Sequence, residues 1–321
     1  MREVTRHEVD EERVDRALDD IRRRSFGHWH GLRYNSLSLR GLAVLRDELL
    51  DHVGACTLQD PALTGDAGRL ALRTAAECGL GVLSLGAFPG GDFEVSLPLI
   101  DERLISAQFS FEDAVDQAPT ARTWLDAFAI CLTTGLLREP ARVIGPLLKE
   151  DYAPAIRDGV PYSPLESVSA PADLAAMDAL CAYLVDTSPA ARRADDPLAK
   201  PDAPTRAEAA RRLDAAGTLT PDQRLLRVLL DDDQVAFDEA LADRLRRHRA
   251  DAGPDPEPRT LLPVESVALA ALAVQAHGWQ PELRSGYLPQ GLLHAPRRPV
   301  PGPAERSRAD RLRPIHRPAT G

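Results

Sequence analysis

Apolar residues recur every three or four positions along most of the chain. The clearest run lies between Leu39 and Val53, where leucines and one valine fall on a single face of a helix. Similar stripes occur over residues 9–24, 120–136, 140–148 and 263–277. The pattern predicts amphipathic helices that bury one face in a shared core and expose the other face to solvent.

Local capping signals mark several helix starts. Thr220 and Gln223 have the spacing of a capping box, in which each side chain bonds the backbone N–H of the other residue. Pro221 lies between them and suits the first helical position, where no N–H is needed. Thr205 and Glu208 repeat the same spacing. We therefore expect one helix to begin at each of the two threonines.

The pair Asp60 and Pro61 predicts a further helix start, with the aspartate as N-cap and the main apolar helix over about residues 67–85. Gly79 and Gly81 lie inside that helix, although glycine destabilises a helix interior by roughly 0.5–1 kcal/mol relative to alanine. Close packing would account for both glycines. We expect another helix to approach the backbone at these two positions.

Only one segment alternates between apolar and polar residues as a strand does, at Phe93, Val95 and Leu97. The other predicted elements are consecutive helices joined by short turns, such as the turn at 231–233. Stacked antiparallel helix pairs of this kind resemble the units of α-solenoids, although no fixed repeat period emerges. The predicted fold is therefore predominantly all-α, with at most a minor strand near 93–97.

Segments rich in proline, alanine and charge divide the chain. Residues 187–204 form a predicted loop or linker between a larger N-terminal helical part, 1–186, and a C-terminal helical part, 205–293. Residues 294–321 follow as a basic tail rich in proline and arginine. The tail has almost no large apolar side chains to bury in a core, so we expect it to be disordered.

At 321 residues with 44% apolar side chains, the chain has the material for a substantial core. No uninterrupted apolar run approaches the roughly 20 residues that span a bilayer, and the charged N-terminus lacks the apolar segment of a signal peptide. Four widely spaced cysteines without a CxxC motif indicate reduced thiols. We therefore expect a cytoplasmic protein that does not enter a membrane.

The net charge of −10 is unevenly distributed. Residues 294–321 contain seven arginines against one glutamate and one aspartate, so they carry +5 and the preceding residues carry −15. A body of that charge repels nucleic acid and favours a basic macromolecule as partner. Asp231, Asp232 and Asp233 place three carboxylates in one turn, so they are the candidate partner-binding residues. A solvated turn between two helices is the simpler interpretation of the same run.

Two histidines offer a candidate for metal chemistry. His28 and His30 flank Trp29, and in an extended segment both imidazoles would lie on one side, as some metal sites require. No further ligand with a recognisable spacing completes the set, and packing roles are the simpler interpretation. A metal-dependent hydrolase stays open as an alternative. The sequence otherwise predicts no catalytic residue and no cofactor.

Several longer strings carry a family resemblance. They are RTAAECGLGVLSLGAF (73–88), FPGGDFEVSLPLI (88–100), FEDAVDQAPTARTWLDAF (111–128), DYAPAIRDGVPYSPLES (151–167), RLDAAGTLTPDQRLLRVLLDDD (212–233) and LAALAVQAHGW (269–279). Together they resemble the immunity protein 49 family over nearly the whole chain, as far as residue 293, and exclude the basic tail.

The resemblance implies an all-α protein encoded beside bacterial polymorphic toxins, which binds a cognate toxin domain and neutralises it by stoichiometric occlusion. It implies neither an enzyme nor a cofactor, and it supplies no binding residues to carry over. A helical-repeat scaffold for an unrelated peptide would share every feature of the residue pattern. That second alternative stays open beside the metal-dependent hydrolase.

Overall fold

The computed structural model describes residues 2–89, 91, 93–106, 114–139, 142–159, 165–185 and 196–294. Half of the predicted linker at 187–204 and nearly all of the predicted tail at 294–321 lie outside the described residues. The helix predicted over 140–148 lies partly outside them as well, and its described part begins at Ile144.

Helices dominate the described part of the chain, which confirms the predicted fold class. They are α1 (Glu11–Leu18), α2 (Ile21–Tyr34), α3 (Leu39–Gln59), α4 (Asp66–Ala87), α5 (Ala121–Thr134), α6 (Ile144–Pro146), α7 (Ala153–Asp158), α8 (Pro171–Cys181), α9 (Ala203–Ala215), α10 (Pro221–Leu230), α11 (Gln234–Ala250), α12 (Val264–His277) and α13 (Gln290–Leu293). A π-helical turn, Leu147–Tyr152, joins α6 to α7. Tighter 3-10 turns occupy Leu136–Arg138 and Pro258–Leu261.

Four short strands form two separate pairs. They are β1 (Arg2–Val4), β2 (Glu94–Leu97), β3 (Glu102–Ile105) and β4 (Leu283–Ser285). β2 and β3 are antiparallel, with Val95 opposite Leu104, so the strand predicted near 93–97 is confirmed. β1 and β4 are parallel, with Val4 opposite Ser285. The residue pattern did not predict this second pair, which joins segments near the two ends of the described chain.

The core is built around the long helices α3 and α4, which pack against each other. Leu42, Leu45 and Leu49 belong to the predicted stripe on α3 and are completely buried. Burying a leucine side chain contributes about 1.5–3 kcal/mol relative to leaving it exposed. α4 also packs against α5 and β2, so most of its surface is covered. A helix that is apolar on nearly all sides fits such a covered position.

Buried apolar residues from both sides of the predicted linker belong to one cluster, which extends from Val4 to Leu293. Consecutive helices pack as pairs, including α8 with α9 and α10 with α11. α12 also packs against α5, which lies much earlier in the chain. A strict solenoid, in which each unit touches only its sequence neighbours, lacks contacts of this kind. The helix pairs therefore enclose a common core.

Two helical segments, Asp66–Ala87 and Pro258–His277, are long and apolar enough by length and composition to cross a membrane. Neither segment is an uninterrupted apolar run, because charged residues such as Arg69 in the first and Glu265 in the second interrupt them. Most of each apolar window is buried inside the fold. Helices that are apolar all round occur both in membranes and in the cores of soluble proteins, so length and composition do not distinguish the two.

The capping box at Thr220 is confirmed. The Thr220 hydroxyl accepts the backbone N–H of Gln223 at 3.2 Å, and the Gln223 side-chain oxygen accepts the backbone N–H of Thr220 at 2.8 Å. Pro221 is the first residue of α10. The local signal sufficed here because every partner lies within four residues.

The helix start predicted at Asp60 is wrong. Asp60 follows the last residue of α3, and its carboxylate accepts the backbone N–H groups of Thr64 and Gly65, each at 2.7 Å. These bonds hold a loop, and α4 begins only at Asp66. An aspartate serves a loop turn as well as a helix N-terminus, because both present free N–H groups.

The helix start predicted at Thr205 is also wrong. The carboxylate of Asp202 accepts the backbone N–H of Thr205 at 2.9 Å, so Asp202 is the N-cap and α9 begins at Ala203. Glu208 instead pairs with Arg212 on the next turn, at 2.9 Å. The Asp202 carboxylate, three residues before Thr205, thus accepts the Thr205 N–H group that the Glu208 side chain would have accepted in a capping box at Thr205.

The glycines inside α4 differ from each other. A Cβ atom at Gly81 would lie only 2.4 Å from Cγ2 of Val95, so close packing at this position is confirmed. The neighbour is strand β2, and not the helix that the sequence predicted. At Gly79 a Cβ atom would make only ordinary contact, 3.7 Å from Cγ2 of Ile130 in α5. The structure therefore requires a glycine at position 81 but not at position 79.

The helix predicted over residues 9–24 is interrupted. α1 ends at Leu18 and α2 begins at Ile21. Between them, Asp20 has a φ angle of 28°, which a right-handed helix does not allow. The Asp20 carboxylate then accepts the backbone N–H of Arg23 at 3.2 Å and caps the new helix. The break redirects the chain so that α2 packs on α3.

Candidate functional site

The three predicted partner-binding aspartates form the turn between α10 and α11. Asp231 follows the last residue of α10, and its carboxylate pairs with Arg227 at 2.6 Å. Asp233 is the N-cap of α11, where its carboxylate accepts the backbone N–H groups of Val235 at 2.9 Å and Ala236 at 3.1 Å. Both aspartates are exposed. Their carboxylates therefore stabilise the turn and can still be reached by a partner.

Asp232 occupies a different environment, since its side chain is only 22% exposed. Its carboxylate contacts three donors: His277 Nδ1 at 2.8 Å, Lys200 Nζ at 2.6 Å and Arg206 Nη2 at 3.0 Å. Burial alone would raise the pKa of Asp232, but the hydrogen bonds from Lys200 and His277 lower it below its ordinary value. Asp232 is thus a charged centre that links α9, α12 and the segment before α9.

His277 extends this network into the core. Because the Asp232 carboxylate only accepts hydrogen bonds, the Nδ1 atom of His277 carries the proton and its Nε2 atom accepts from the Tyr183 hydroxyl at 2.8 Å. Burial lowers the pKa of His277, although Asp232 opposes the shift. Burial also raises the pKa of Tyr183, so the phenol keeps its proton. The arrangement resembles a proton relay in composition.

Two members of this network are closed to solvent. The side chain of His277 has 0% exposure, and Tyr183 is completely buried. The ring of Trp279 lies 4.5 Å from the ring of His277 and covers it. A reacting group needs access to a substrate, which neither Tyr183 nor His277 has. We therefore assign the Tyr183–His277–Asp232 network a structural role, in which it holds residues from both sides of the predicted linker together.

His28 and His30 lie on helix α2 and not on an extended segment, so the predicted geometry for these two residues is wrong. Residues two apart on a helix point in directions about 200° apart. The Nε2 atom of His28 lies 2.6 Å from the Glu48 carboxylate, while the His30 ring packs against Tyr34 at a tilt of 46°, with ring centroids 4.7 Å apart. Across the described residues, no group of three or more His, Cys, Asp or Glu side chains is arranged to hold a metal ion.

All four cysteines are free thiols, as the sequence predicted. Burial raises the pKa of Cys181 to about 12, and it raises the pKa of Cys78 and Cys131 further. Cys56 is partly buried, and its pKa is raised by burial as well. Thiols with raised pKa values are weak nucleophiles at neutral pH, because the thiolate is the reactive form.

An exposed aromatic surface on α2 was not predicted from the sequence. Phe26 is 47% exposed and Tyr34 is 60% exposed, on a helix whose opposite side packs into the core. Trp29 anchors this side of the helix, since its ring lies 5.0 Å from that of Phe26 and its Nε1 atom donates to the backbone oxygen of Arg103 at 3.2 Å. The guanidinium of Arg33 stacks 5.4 Å from the ring of Tyr34.

We refer to the outward side of α2, formed by Arg22, Phe26, His30, Arg33 and Tyr34, as the α2 face. Its spacing could have been recognised in the sequence, because positions 26, 30, 33 and 34 share one side of a helix. The segment contains four arginines and no acidic residue. It is therefore a basic helix within an acidic protein. The net charge of the whole chain does not reveal such a local excess of positive charge.

Comparison with known proteins identifies the family. The model of the immunity protein 49 family matches residues 60–292, which is well over half of the chain. The matched region includes α4 to α12 and the aspartate turn, while α1, α2 and α3 precede it. No curated protein and no solved structure matches the chain. The resemblance carried by the sequence strings is thus confirmed for this region, and the chain belongs to the immunity protein 49 family.

Proposed function

We propose that this protein neutralises a cognate polymorphic toxin domain by binding it in a fixed ratio and occluding its active site or substrate path. The observation that carries the proposal is the family match over residues 60–292, because it assigns the chain to immunity proteins. Occlusion requires a stable binding surface and no chemistry by the immunity protein itself. The proposal therefore includes no catalytic residue and no cofactor. It also places the action of the protein in the cytoplasm.

The negative charge of this protein supports the proposal that the toxin is basic. Residues 1–293 carry −15, which attracts a basic protein at long range and raises the rate of encounter. Part of this charge is concentrated where α1 meets the segment after α11. There Arg13 contacts both Asp255 and Glu257, and Glu11 and Glu12 lie exposed on the same helix. This acidic region supports steering of the toxin before contact.

The aspartate turn remains a proposed contact with the toxin, but with two of its three aspartates instead of all three. Asp231 and Asp233 are exposed and able to meet a basic residue of the toxin. Asp232 is committed to its internal partners, so it would contribute mainly by fixing the shape of the turn. A contact at this turn would therefore involve two of the three predicted residues.

The test is co-expression with the toxin domain encoded by the neighbouring gene. We expect this protein to restore growth, and we expect the two purified proteins to form a complex of fixed ratio in light scattering. A toxin domain from an unrelated system is the control, because protection by a specific interface should not extend to it. Failure to bind or protect against any adjacent toxin domain would overturn the proposal. Protection by substoichiometric amounts would also contradict it, because that result points to catalysis.

A further inference from the structure

We propose that the α2 face is the surface that docks the toxin, and that it receives a patch of the toxin combining an apolar side chain with carboxylates. This inference rests on the proposed function and adds to it the contact surface and the local chemistry of the partner. Three features of the described residues support it: the exposed aromatic rings, the arginines without acidic partners, and the groove beside the helix.

The aromatic residues of the α2 face have the composition of an interface hot spot. Phe26 and Tyr34 expose 47% and 60% of their surface, and they lie at the two ends of a ladder of rings that runs through Trp29. The rings of Phe26 and Trp29 lie 5.0 Å apart, and those of Trp29 and Tyr34 lie 6.1 Å apart. Tyrosine, tryptophan and arginine dominate binding energy at protein interfaces. Trp29, the middle ring, is buried and bonded to the Arg103 backbone, so the two outer rings pack on a fixed centre and binding would cost less ordering.

The arginines define the charge that the partner must bring. Arg23 pairs with Asp20 at 2.9 Å and Arg24 pairs with Glu48 at 2.9 Å. Arg22 and Arg33, by contrast, form no ion pair with any other described residue. These two guanidinium groups flank Phe26 and Tyr34, and a carboxylate can bind a guanidinium through two parallel hydrogen bonds. The matching surface therefore carries carboxylates around an apolar side chain.

Local acidity of this patch is compatible with a basic toxin overall. The net charge of the two proteins acts over distances near a Debye length, about 8–10 Å, whereas ion pairs act at contact. A polyanion such as RNA also combines negative charge with stacking groups. The body charge of −15 disfavours it, because a polyanion meets that charge along its whole length. A compact acidic patch on a protein does not extend along the acidic body, so it meets less of this repulsion.

A groove along another side of α2, next to the start of α3, offers room for the partner. It runs between α2 and the start of α3 and is lined by Gly27, Gly31 and Leu32, with His28 and Glu48 at its polar end. A Cβ atom at Gly27 or Gly31 would meet no atom within 4 Å, so the groove is open along the helix. A side chain of the toxin could lie in this groove while the ladder contacts its neighbours.

The position of α2 in the chain fits a role in specificity. The family match begins at residue 60, so the α2 face lies outside the region that the family model matches. Discrimination between two toxins requires contacts that favour one of them over the other. A surface outside the matched region is free to supply such contacts, while the matched helices supply the scaffold.

The experiment measures binding of the purified full chain to the neighbouring toxin domain. The double variant Phe26→Ser with Tyr34→Ser should weaken binding by about tenfold or more, as truncation at hot spots does. The variant Arg22→Glu with Arg33→Glu should weaken it too, with the larger loss at low salt. The matched control is Leu58→Ser with Val168→Ser, which changes two exposed apolar residues outside both the α2 face and the aspartate turn, 46% and 83% exposed. We expect the control to bind as the wild type does.

The outcomes separate this inference from the proposed function. Wild-type binding that survives both α2 variants unchanged would overturn the inference and leave toxin neutralisation standing. Absence of wild-type binding to any adjacent toxin domain would instead overturn the function. Circular dichroism and thermal melting must show that the variants fold, which we expect because the changed side chains are on the surface. Tight binding of a single-stranded RNA oligonucleotide through the same residues, without toxin binding, would also overturn the inference.

Discussion

Asp231, Asp232 and Asp233 have the same chemistry and adjacent positions, yet each meets a different environment. Asp231 pairs with Arg227 on an exposed helix end, and Asp233 caps α11. Asp232 has a positive φ angle of 62° and turns its carboxylate inward to His277. The contribution of each residue to stability depends on how far its partners are removed from water.

We therefore predict unequal losses from single alanine substitutions in this turn. Asp232→Ala should lower the free energy of unfolding by about 1–3 kcal/mol, because it leaves the buried His277 without an acceptor. Asp233→Ala should cost about 1 kcal/mol through the lost cap. Asp231→Ala should cost less than about 0.5 kcal/mol, as exposed pairs usually do. Urea denaturation measures all three, and equal losses would refute the assigned roles.

The Asp232 network could not be predicted from the sequence. The acidic run itself was apparent, and so was the turn that it forms. The residues of the network, however, are far apart in the sequence. His277 lies 45 residues after Asp232 and 94 residues after Tyr183. Spacing rules apply to residues within a few positions of each other. A contact over such separations depends on how helices from different parts of the chain pack.

At the level of helices and strands, α4 shows how packing decides which glycine is needed. Gly81 faces strand β2, and a methyl group there would overlap Val95, which is completely buried. Gly79 lies two residues away on the same helix but has ordinary distances to its neighbours. Helix propensity treats both positions alike, so any difference in the effect of alanine must come from packing.

We predict opposite effects from the matched substitutions Gly81→Ala and Gly79→Ala. The first should destabilise the protein by about 1–3 kcal/mol, because the core must shift to admit the methyl group. The second should be neutral or stabilise it by up to roughly 1 kcal/mol, as alanine favours a helix. Thermal melting of the two variants beside the wild type measures the contrast. Similar melting temperatures for both would show that β2 does not pack on Gly81.

Signals within one helical turn predicted that the helices exist but not always where they begin. The wrong starts arise where another group takes the hydrogen bond that the signal assumes. Thr220 and Gln223 cap each other as expected. Asp60 fails as a helix start because a loop uses its carboxylate, and Thr205 fails because Asp202 caps the helix first. β1 gives almost no signal, because three residues are too few to show alternation. Its pairing partner lies near the other end of the described chain.

For the whole molecule, one buried and three partly buried histidines link stability to pH. Burial lowers the pKa of His7, His52, His248 and His277 below the ordinary value of 6.5. In the unfolded chain these groups regain ordinary values and bind protons as the pH falls through 6.5. Because the unfolded state then binds more protons than the folded state, acid favours unfolding. The stabilising contribution is fully present above pH 6.5 and is lost below it.

We predict that the melting temperature falls between about pH 7.5 and pH 5.5, and that His7→Gln reduces this fall. In the wild type, the Nδ1 atom of His7 lies 2.6 Å from the Tyr287 hydroxyl and the Nε2 atom lies 2.9 Å from the Thr260 hydroxyl. Carboxyls such as Asp51, whose pKa burial raises, act in the opposite direction but equally in both proteins. Identical pH dependence in the two proteins would exclude His7 from the titration.

The parallel pairing of β1 with β4 has a consequence for synthesis of the protein. Residues 2–4 leave the ribosome long before residues 283–285, with which they pair. At bacterial elongation rates of roughly 5–20 residues per second, the first strand waits on the order of 15–60 seconds for its partner. If closure of this pair is needed for toxin binding, a growing chain protects the cell only after residues 283–285 have left the ribosome. A truncated transcript would then yield no partial immunity.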